Sequence, residues 1–262
     1  MKTLTTQLSI AVCAALAAGA VQAQTTLKPD GNWRGSIGAG LSITDGNSKS
    51  SAFNFNGETV RLTEQDKARI YGTALYGKND GKESTNLQRF GGRYDYNLTP
   101  VLFGFGGIDF ERDKPGNLEL RIAPSVGLGA HLIKSANTTF DVFGGVGYVR
   151  DKFFNATFID GSSRTTYSRP ELLLGESSTH KLTETASFRQ SLTIYPNLAN
   201  RGEYRAVFDA GLSVAMSSTV SLTLGLIDRY NSDPGTKPGV VPRTEFKKND
   251  LLFVTGIGVK FD

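Results

Sequence analysis

The feature that most constrains this chain is a period of two. In the stretch Leu251-Leu252-Phe253-Val254-Thr255-Gly256-Ile257-Gly258-Val259-Lys260-Phe261, one face carries Leu251, Phe253, Thr255, Ile257, Val259 and Phe261. The other carries Leu252, Val254, Gly256, Gly258 and Lys260. Successive strand side chains point to opposite faces, so this is a strand with one continuously apolar side. The same alternation recurs along the chain. Trp33, Gly35, Ile37, Ala39, Leu41 and Ile43 share a face, and Asp45-Gly46-Asn47-Ser48 then turns the chain. On the return, Phe53 and Phe55 oppose Asn54 and Asn56. Further on, Phe90, Tyr94, Tyr96 and Leu98 oppose Arg89, Arg93 and Asp95, and Phe103 and Phe105 alternate with Gly104 and Gly106. Leu118, Leu120, Ile122, Val126 and Leu128 face away from Glu119, Arg121 and Ser125.

Counted to the end, the pattern predicts about twelve strands. Their length separates two all-β architectures. Most runs extend over about ten to thirteen residues, nearer the roughly nine to eleven of a tilted membrane-spanning strand than the five or six of soluble strands. A β-sandwich also alternates, but length favours a transmembrane antiparallel β-barrel of the outer-membrane type. Closure also satisfies every backbone N–H and C=O in lipid. An even strand number puts both termini on one side. Alternate connections are short, near Leu62 to Asp66, Thr99-Pro100, Lys134 to Asn137, Thr183-Glu184 and Met216 to Ser218. On the opposite side, long loops are expected at Arg150 to Arg169 and Asn231 to Lys248. Trp33, Tyr94, Tyr96, Tyr148, Tyr195, Tyr204, Tyr230 and Phe261 lie near strand ends, where aromatic rings settle at the headgroup level.

The N-terminus sets the compartment. Lys2, the apolar run Leu8 to Ala20 and Val21-Gln22-Ala23, with its small residues before a cleavage between Ala23 and Gln24, read as a secretory signal peptide over residues 1–23. Residues 24–262 then form one barrel domain exported to the cell outer membrane. Cys13, the single cysteine, falls inside the signal, so thiol and disulfide chemistry leave with it. Mean hydropathy is slightly negative, and no run after residue 24 approaches the roughly twenty apolar residues of a spanning helix. If the chain enters a membrane, it does so as strands. The formal net charge of +4 includes Lys2, leaving +3, too small an imbalance to imply nucleic acid.

Strand phase assigns Arg34, Arg69, Arg89, Arg93, Arg121, Arg189, Arg205, Arg229 and Lys260 to the lumen, with Glu58, Asp95, Glu119, Asp141 and Asp209 among them. Such a set either fills a narrow barrel as a charge network or lines a small pore that prefers anions. Twelve strands lie between side-chain-filled barrels and open porins, so diameter does not decide.

At this point the segments "WRGSIGAGLSITDGNSKSSAFNFNGE" from Trp33, "RYDYNLTPVLFGFGGIDFERD" from Arg93, "LELRIAPSVGLGAHLI" from Leu118, "GGVGYVRD" from Gly144 and "RYNSDP…KKNDLLFVTGIGVKF" from Arg229 are similar to the family of salt-induced outer-membrane proteins, whose domain has no assigned function. The resemblance covers nearly all of the chain after the signal. It implies an outer-membrane barrel, and it supplies no activity and no catalytic residues. The final strand, with Phe261, resembles the signal by which the barrel-assembly machinery recognises its clients. Asp262 departs from that pattern, in which the aromatic residue is usually last.

Chemistry is sparse. The two histidines, His131 and His180, sit toward the terminus side of their strands. Ser177 and Ser178 lie close to His180, but neighbouring strand residues face opposite ways and offer no triad. Asp45-Gly46-Asn47 and Asn231-Ser232-Asp233 could offer oxygens to calcium, yet read better as turns. The run Gly104 to Gly107 is no phosphate cradle, since no helix follows; glycine there should admit a bulky neighbour inside the barrel. No catalytic, cofactor or metal site is expected. The expected partners are outer-membrane lipid and the assembly machinery, with a monomer favoured. The leading function is a structural or envelope-stress, salt-related barrel; the alternative is a small anion-preferring channel, and a barrel lipid hydrolase comes third.

Overall fold

The computed structural model describes residues 29–44 and 50–261. The expected signal segment, the expected turn at Asp45 to Ser48 and Asp262 lie outside the described residues. Twelve strands form one closed antiparallel barrel. They are β1 (Trp33–Thr44), β2 (Ser50–Leu62), β3 (Asp66–Asn79), β4 (Lys82–Asn97), β5 (Leu102–Asp113) and β6 (Leu118–Lys134), followed by β7 (Thr138–Ile159), β8 (Ser162–Lys181), β9 (Ala186–Pro196), β10 (Tyr204–Ala215), β11 (Val220–Asn231) and β12 (Asn249–Phe261). Each strand pairs with its sequence neighbours, and β1 closes on β12. That seam runs from Gly35↔Phe261 to Ala39↔Ile257, five pairs, whereas β11 and β12 share eleven.

Alternation decides which face meets what. Ile37, Phe53, Phe90, Val126, Leu224 and Val259 are among many large apolar side chains left exposed on the outer wall, the inverse of a soluble protein and the apolar band a spanning barrel requires. Trp33, Tyr94, Tyr96 and Phe261 lie exposed at the terminus-side rim. Tyr148 and Tyr204 lie exposed at the opposite rim, and Tyr204 stacks on Tyr230 with ring centroids 5.3 Å apart.

The expected loop at Arg150 to Arg169 is instead strand. β7 continues to Ile159, Asp160-Gly161 turns the chain with φ of 49° and 69°, and β8 returns from Ser162. Asp-Gly with both residues at positive φ is the two-residue turn that matches strand twist. The inward side chains here, Asp151, Thr157, Tyr167 and Arg169, are buried yet mostly polar, so hydrophobicity does not mark the strand. Asn231 to Lys248 does remain a loop, and it folds inward. Thr157 Oγ1 donates to the Thr236 carbonyl at 2.6 Å, and the Arg243 guanidinium lies 4.2 Å over the Phe158 ring. Four strand positions separate β7 from β11, so these contacts lay the loop across the barrel mouth.

Three sidedness expectations are corrected. Phe103 and Phe105 point inward, 2% and 4% exposed, and Gly104 and Gly106 are not the glycines that make room. Gly127 and Gly129 on β6 receive the two rings: a Cβ at Gly127 would stand 2.6 Å from Phe105 Cζ, and one at Gly129 2.7 Å from Phe103 Cε1. Glu119 leaves the lumen because the β6–β7 register shifts between Leu118 and Leu120, a bulge that flips sidedness. It pairs with the exposed Lys152 at 2.8 Å. Tyr195 turns inward too, beneath the Arg205 guanidinium at 4.8 Å, rather than joining the aromatic rim.

Candidate functional site

The lumen is built by the inward phase of each strand, and its charged groups meet in pairs. On β2 and β3, Glu58 accepts both Arg69 Nε at 3.0 Å and Arg69 Nη2 at 3.1 Å. Arg189, on β9, reaches the same carboxylate at 3.8 Å. β9 lies five strand positions from β2 around the closed wall, so this contact crosses the lumen. A second strut crosses farther toward the loop side: Glu111 of β5 lies 3.8 Å from Arg229 of β11, six positions away and diametrically opposed. Arg89 and Arg121 approach Glu111 as well, at 3.2 and 3.7 Å.

The remaining arginines are committed locally. Arg121 donates to both oxygens of Asp151, at 2.6 and 2.9 Å. Arg205 does the same to Glu171, at 3.1 and 2.6 Å. Arg93 binds Asp95 at 2.6 Å and lies 4.0 Å over Phe105 and 4.8 Å over Phe143, filling the middle of the barrel with a cation and two rings. Leu173 joins this cluster. Arg34, at the terminus-side end, donates to both oxygens of Asp30 at 2.8 and 2.6 Å. That hydrogen bonding, outside the spanning segments, holds the Asp30 carboxyl well below the usual range.

Sequence phase missed the most buried member. Arg169, placed in a loop by its polar surroundings, bridges Asp151 at 3.0 Å and Glu171 at 2.8 Å, and both carboxylates are 2% exposed. The signal that could have found it is the continuing period of two, Tyr167, Arg169, Glu171, Leu173, in phase with the rest of β8.

Between the Glu111 strut and the β11–β12 loop lies a cavity of about 690 Å³. Of the arginines read as lumenal, it brings together Arg89, Arg121, Arg205 and Arg229; Arg34, Arg69, Arg93 and Arg189 lie outside it. Its lining includes no residue of β1 or β2. On that side of the barrel, Ser36, Asn54, Asn56, Ser221 and Thr223 are buried.

Both histidines are placed by neighbours. His131 stacks on Phe103 at 4.7 Å, with Nδ1 2.7 Å from Asp141 and Nε2 3.2 Å from Asn97. His180 does meet a serine, contrary to the opposite-faces argument, because Ser178 is two residues away and shares its face: Nε2 lies 3.2 Å from Ser178 Oγ. Nδ1 faces Thr138 Oγ1 at 3.3 Å rather than a carboxylate. Ser178 is also paired with Phe140 on one side and Gln190 on the other, inside two ladders that commit the neighbouring N–H groups an oxyanion would need. Among the described residues, no group of three or more His, Cys, Asp and Glu forms a metal-binding cluster.

The family pattern described as a protein of unknown function, DUF481, matches residues 37–261. No curated protein matches the chain. Among solved structures, the chain is similar to a NanC porin at 13% identity and a TM-score of 0.48, over 87% of this chain and 99% of that one. It is also similar to the translocator domain of the autotransporter NalP from Neisseria meningitidis, at 12% identity and 0.46, over 89% and 90%. A third likeness is to an anion-selective porin from Comamonas acidovorans, at 9% and 0.41, over 88% and 99%.

Proposed function

This chain belongs to the DUF481 family, which brings no assigned activity, and we propose that it is a structural barrel of the outer membrane whose lumen is held shut by ion pairs. The observation that carries this reading is the pair of struts, Glu58–Arg189 and Glu111–Arg229, that join opposite walls. A path for solutes would have to part them and then pass the Arg93–Phe105–Phe143 stack. Buried or half-buried charges separated from their partners lose several kcal/mol, so the closed lumen is the resting form.

The apolar outer wall and its two aromatic rims support a seat in outer-membrane lipid. Export by residues 1–23 and recognition of the last strand, with Phe261, by the barrel-assembly machinery complete the reading. Closure leaves no free sheet edge for a partner, which favours a monomer. The lumen coheres through charge, and its partly exposed pairs, Arg69–Glu58, Arg189–Glu58 and Arg229–Glu111, are the ones that ionic strength screens in part, which supports a role in envelope stress involving salt.

A second reading, a small anion-preferring channel, is favoured by one observation: the cavity lined by Arg89, Arg121, Arg205 and Arg229. Single-channel conductance of the refolded protein in a planar bilayer under a salt gradient separates the two. The closed barrel predicts silence from the wild type and openings from Arg93→Ala/Arg189→Ala/Arg229→Ala, which removes both struts and the stacked cation. Steady anion-selective openings of the wild type, shifted toward cations in the variant, would replace the closed barrel with the channel.

A further inference from the structure

The struts close the barrel but do not use all of its donors. The Arg229 side chain makes no hydrogen bond among the described residues, and its approach to Glu111, at 3.8 Å, is an ion contact only. Arg89 stands 3.2 Å from Glu111 and 4.0 Å from Asp109, yet its buried Nε finds no hydrogen-bond partner because the N–H is not aimed at the carboxylate. Each guanidinium carries five N–H donors in a planar fork. Two forks therefore face one cavity with a single shared carboxylate and no aligned acceptor. Buried donors are nearly always satisfied, so the buried Arg89 Nε, beside an Arg229 guanidinium that is 22% exposed and makes no side-chain hydrogen bond, marks a place for an acceptor that arrives from outside.

We propose that the loop-side cavity is a binding site for a small organic oxyanion, a carboxylate- or phosphate-bearing solute, received by Arg89 and Arg229. A fork pairs with either group through two parallel N–H···O bonds. Arg121 and Arg205 are already committed to Asp151 and Glu171; they shape the field rather than donate. The volume of about 690 Å³ falls within the roughly 300–1,000 Å³ typical of small-molecule sites. Leu75, Leu87, Val149 and Ile227 supply apolar wall for the body of the solute. Lys237, Lys247 and Lys248 line the mouth from the β11–β12 loop and make no ion pair among the described residues, a basic entrance that steers anions inward. Asp113, Asp233 and Asp250 share the lining. Backbone N–H groups occupy the first two: Gly116 donates to Asp113, and Asp160 and Gly235 donate to Asp233.

This goes beyond the closed-barrel reading, since a site open on one side needs no through path. The test is calorimetric titration of the refolded protein in detergent at low ionic strength. Gluconate is the organic anion, inorganic phosphate the bare ion, and glucitol the neutral control. The expected result is gluconate binding, no glucitol binding, and affinity for gluconate about tenfold or more weaker in Arg229→Gln, the loss of a hydrogen bond to a charged group. Arg229→Lys, which keeps the charge and loses the fork, should fall between. Arg164→Gln, in an exposed pair with Asp160 outside the cavity, should bind as the wild type does, and heat-modifiable gel mobility reports folding in every case. Should neither Arg229 variant fold, the wild-type contrast between gluconate and glucitol carries the test. A folded wild type that binds no gluconate, or binds phosphate alone, overturns the proposal, as does gluconate binding that both folded Arg229 variants leave unchanged.

Discussion

Glu111→Gln isolates the loop-side strut. The substitution keeps the shape and removes the charge that Arg89, Arg121 and Arg229 approach at 3.2, 3.7 and 3.8 Å. The three are not stranded equally. Arg121 retains Asp151 at 2.6 Å, and Arg89 retains Asp109 at 4.0 Å. Arg229 retains no ion pair among the described residues. At an effective dielectric suited to such sites, a unit pair near 4 Å interacts by about 4 kcal/mol before desolvation, and removing one partner of a buried pair costs about 3–5 kcal/mol. The Arg229 side chain is 22% exposed, so water recovers part of this and the expected loss is about 2 kcal/mol. Glu111→Gln/Arg229→Gln removes the stranded charge as well and should recover about half of that loss or more. Urea unfolding in lipid vesicles reads both variants through Trp33, the one tryptophan, which lies on the outer wall. A Glu111→Gln protein that unfolds at the wild-type urea concentration refutes the strut, and so does a double variant weaker than the single.

Other substitutions probe the remaining closures. Arg93→Ala removes the cation between Phe105 and Phe143 and should cost about 1–2 kcal/mol, with current through the bilayer rising when paired with a strut variant; unchanged urea stability would count against the stack. Thr157→Val deletes both hydrogen bonds of Thr157 Oγ1 to the Thr236 backbone, one donated to the carbonyl at 2.6 Å and one accepted from the N–H at 3.1 Å, and should speed proteolytic cutting within residues 232–248 by about thirtyfold, the weight of two hydrogen bonds of about 1 kcal/mol each. Equal cutting rates would show that the loop is held elsewhere. Phe261→Ala removes the ring that covers Gly35 at the β1–β12 seam and should lower the folded fraction recovered in the outer membrane of producing cells, measured by heat-modifiable mobility.

Strand number and the outward faces of β2 and β4 were legible because apolar and polar residues alternate over most of each strand, although Val60 and Leu87 turn inward among the polar side chains. The β5 segment was not. In Phe103-Gly104-Phe105-Gly106, neither face is polar, so alternation gives the period and leaves the direction open; Gly127 and Gly129, one strand later, decide it by leaving space for the rings. Glu119 was misplaced because a bulge is invisible to a strict period of two. Partnership was the least legible property. Phase puts Arg189 and Glu58 in the same lumen, but 131 positions of chain separate them, and only closure of β1 on β12 brings those walls within reach. For Ser178 and His180 the geometry was locally available, since residues two apart share a face, and the reading failed by weighing only adjacent positions.

The arginines follow from what a spanning barrel must avoid. Its outer wall is apolar, so an apolar lumen would make every strand a continuous hydrophobic run, prone to pair with other chains before the barrel closes. The lumen must be polar, and polar groups withdrawn from water must be paired. Twelve strands enclose a space narrow enough for opposite walls to satisfy one another, as Glu58 and Arg189 do. On this logic a paired lumenal arginine needs no function beyond holding the barrel, and it is the incompletely satisfied ones that require another explanation. Arg89 and Arg229 stand apart in that respect, and both line the loop-side cavity of about 690 Å³. Replacing Glu111 by Gln should therefore act in two directions at once, weakening the fold while tightening gluconate binding, because the carboxylate that the two guanidiniums share competes with the incoming anion. Weakened binding in that variant, with the fold intact by gel mobility, would mean that Glu111 positions the forks instead of competing for them.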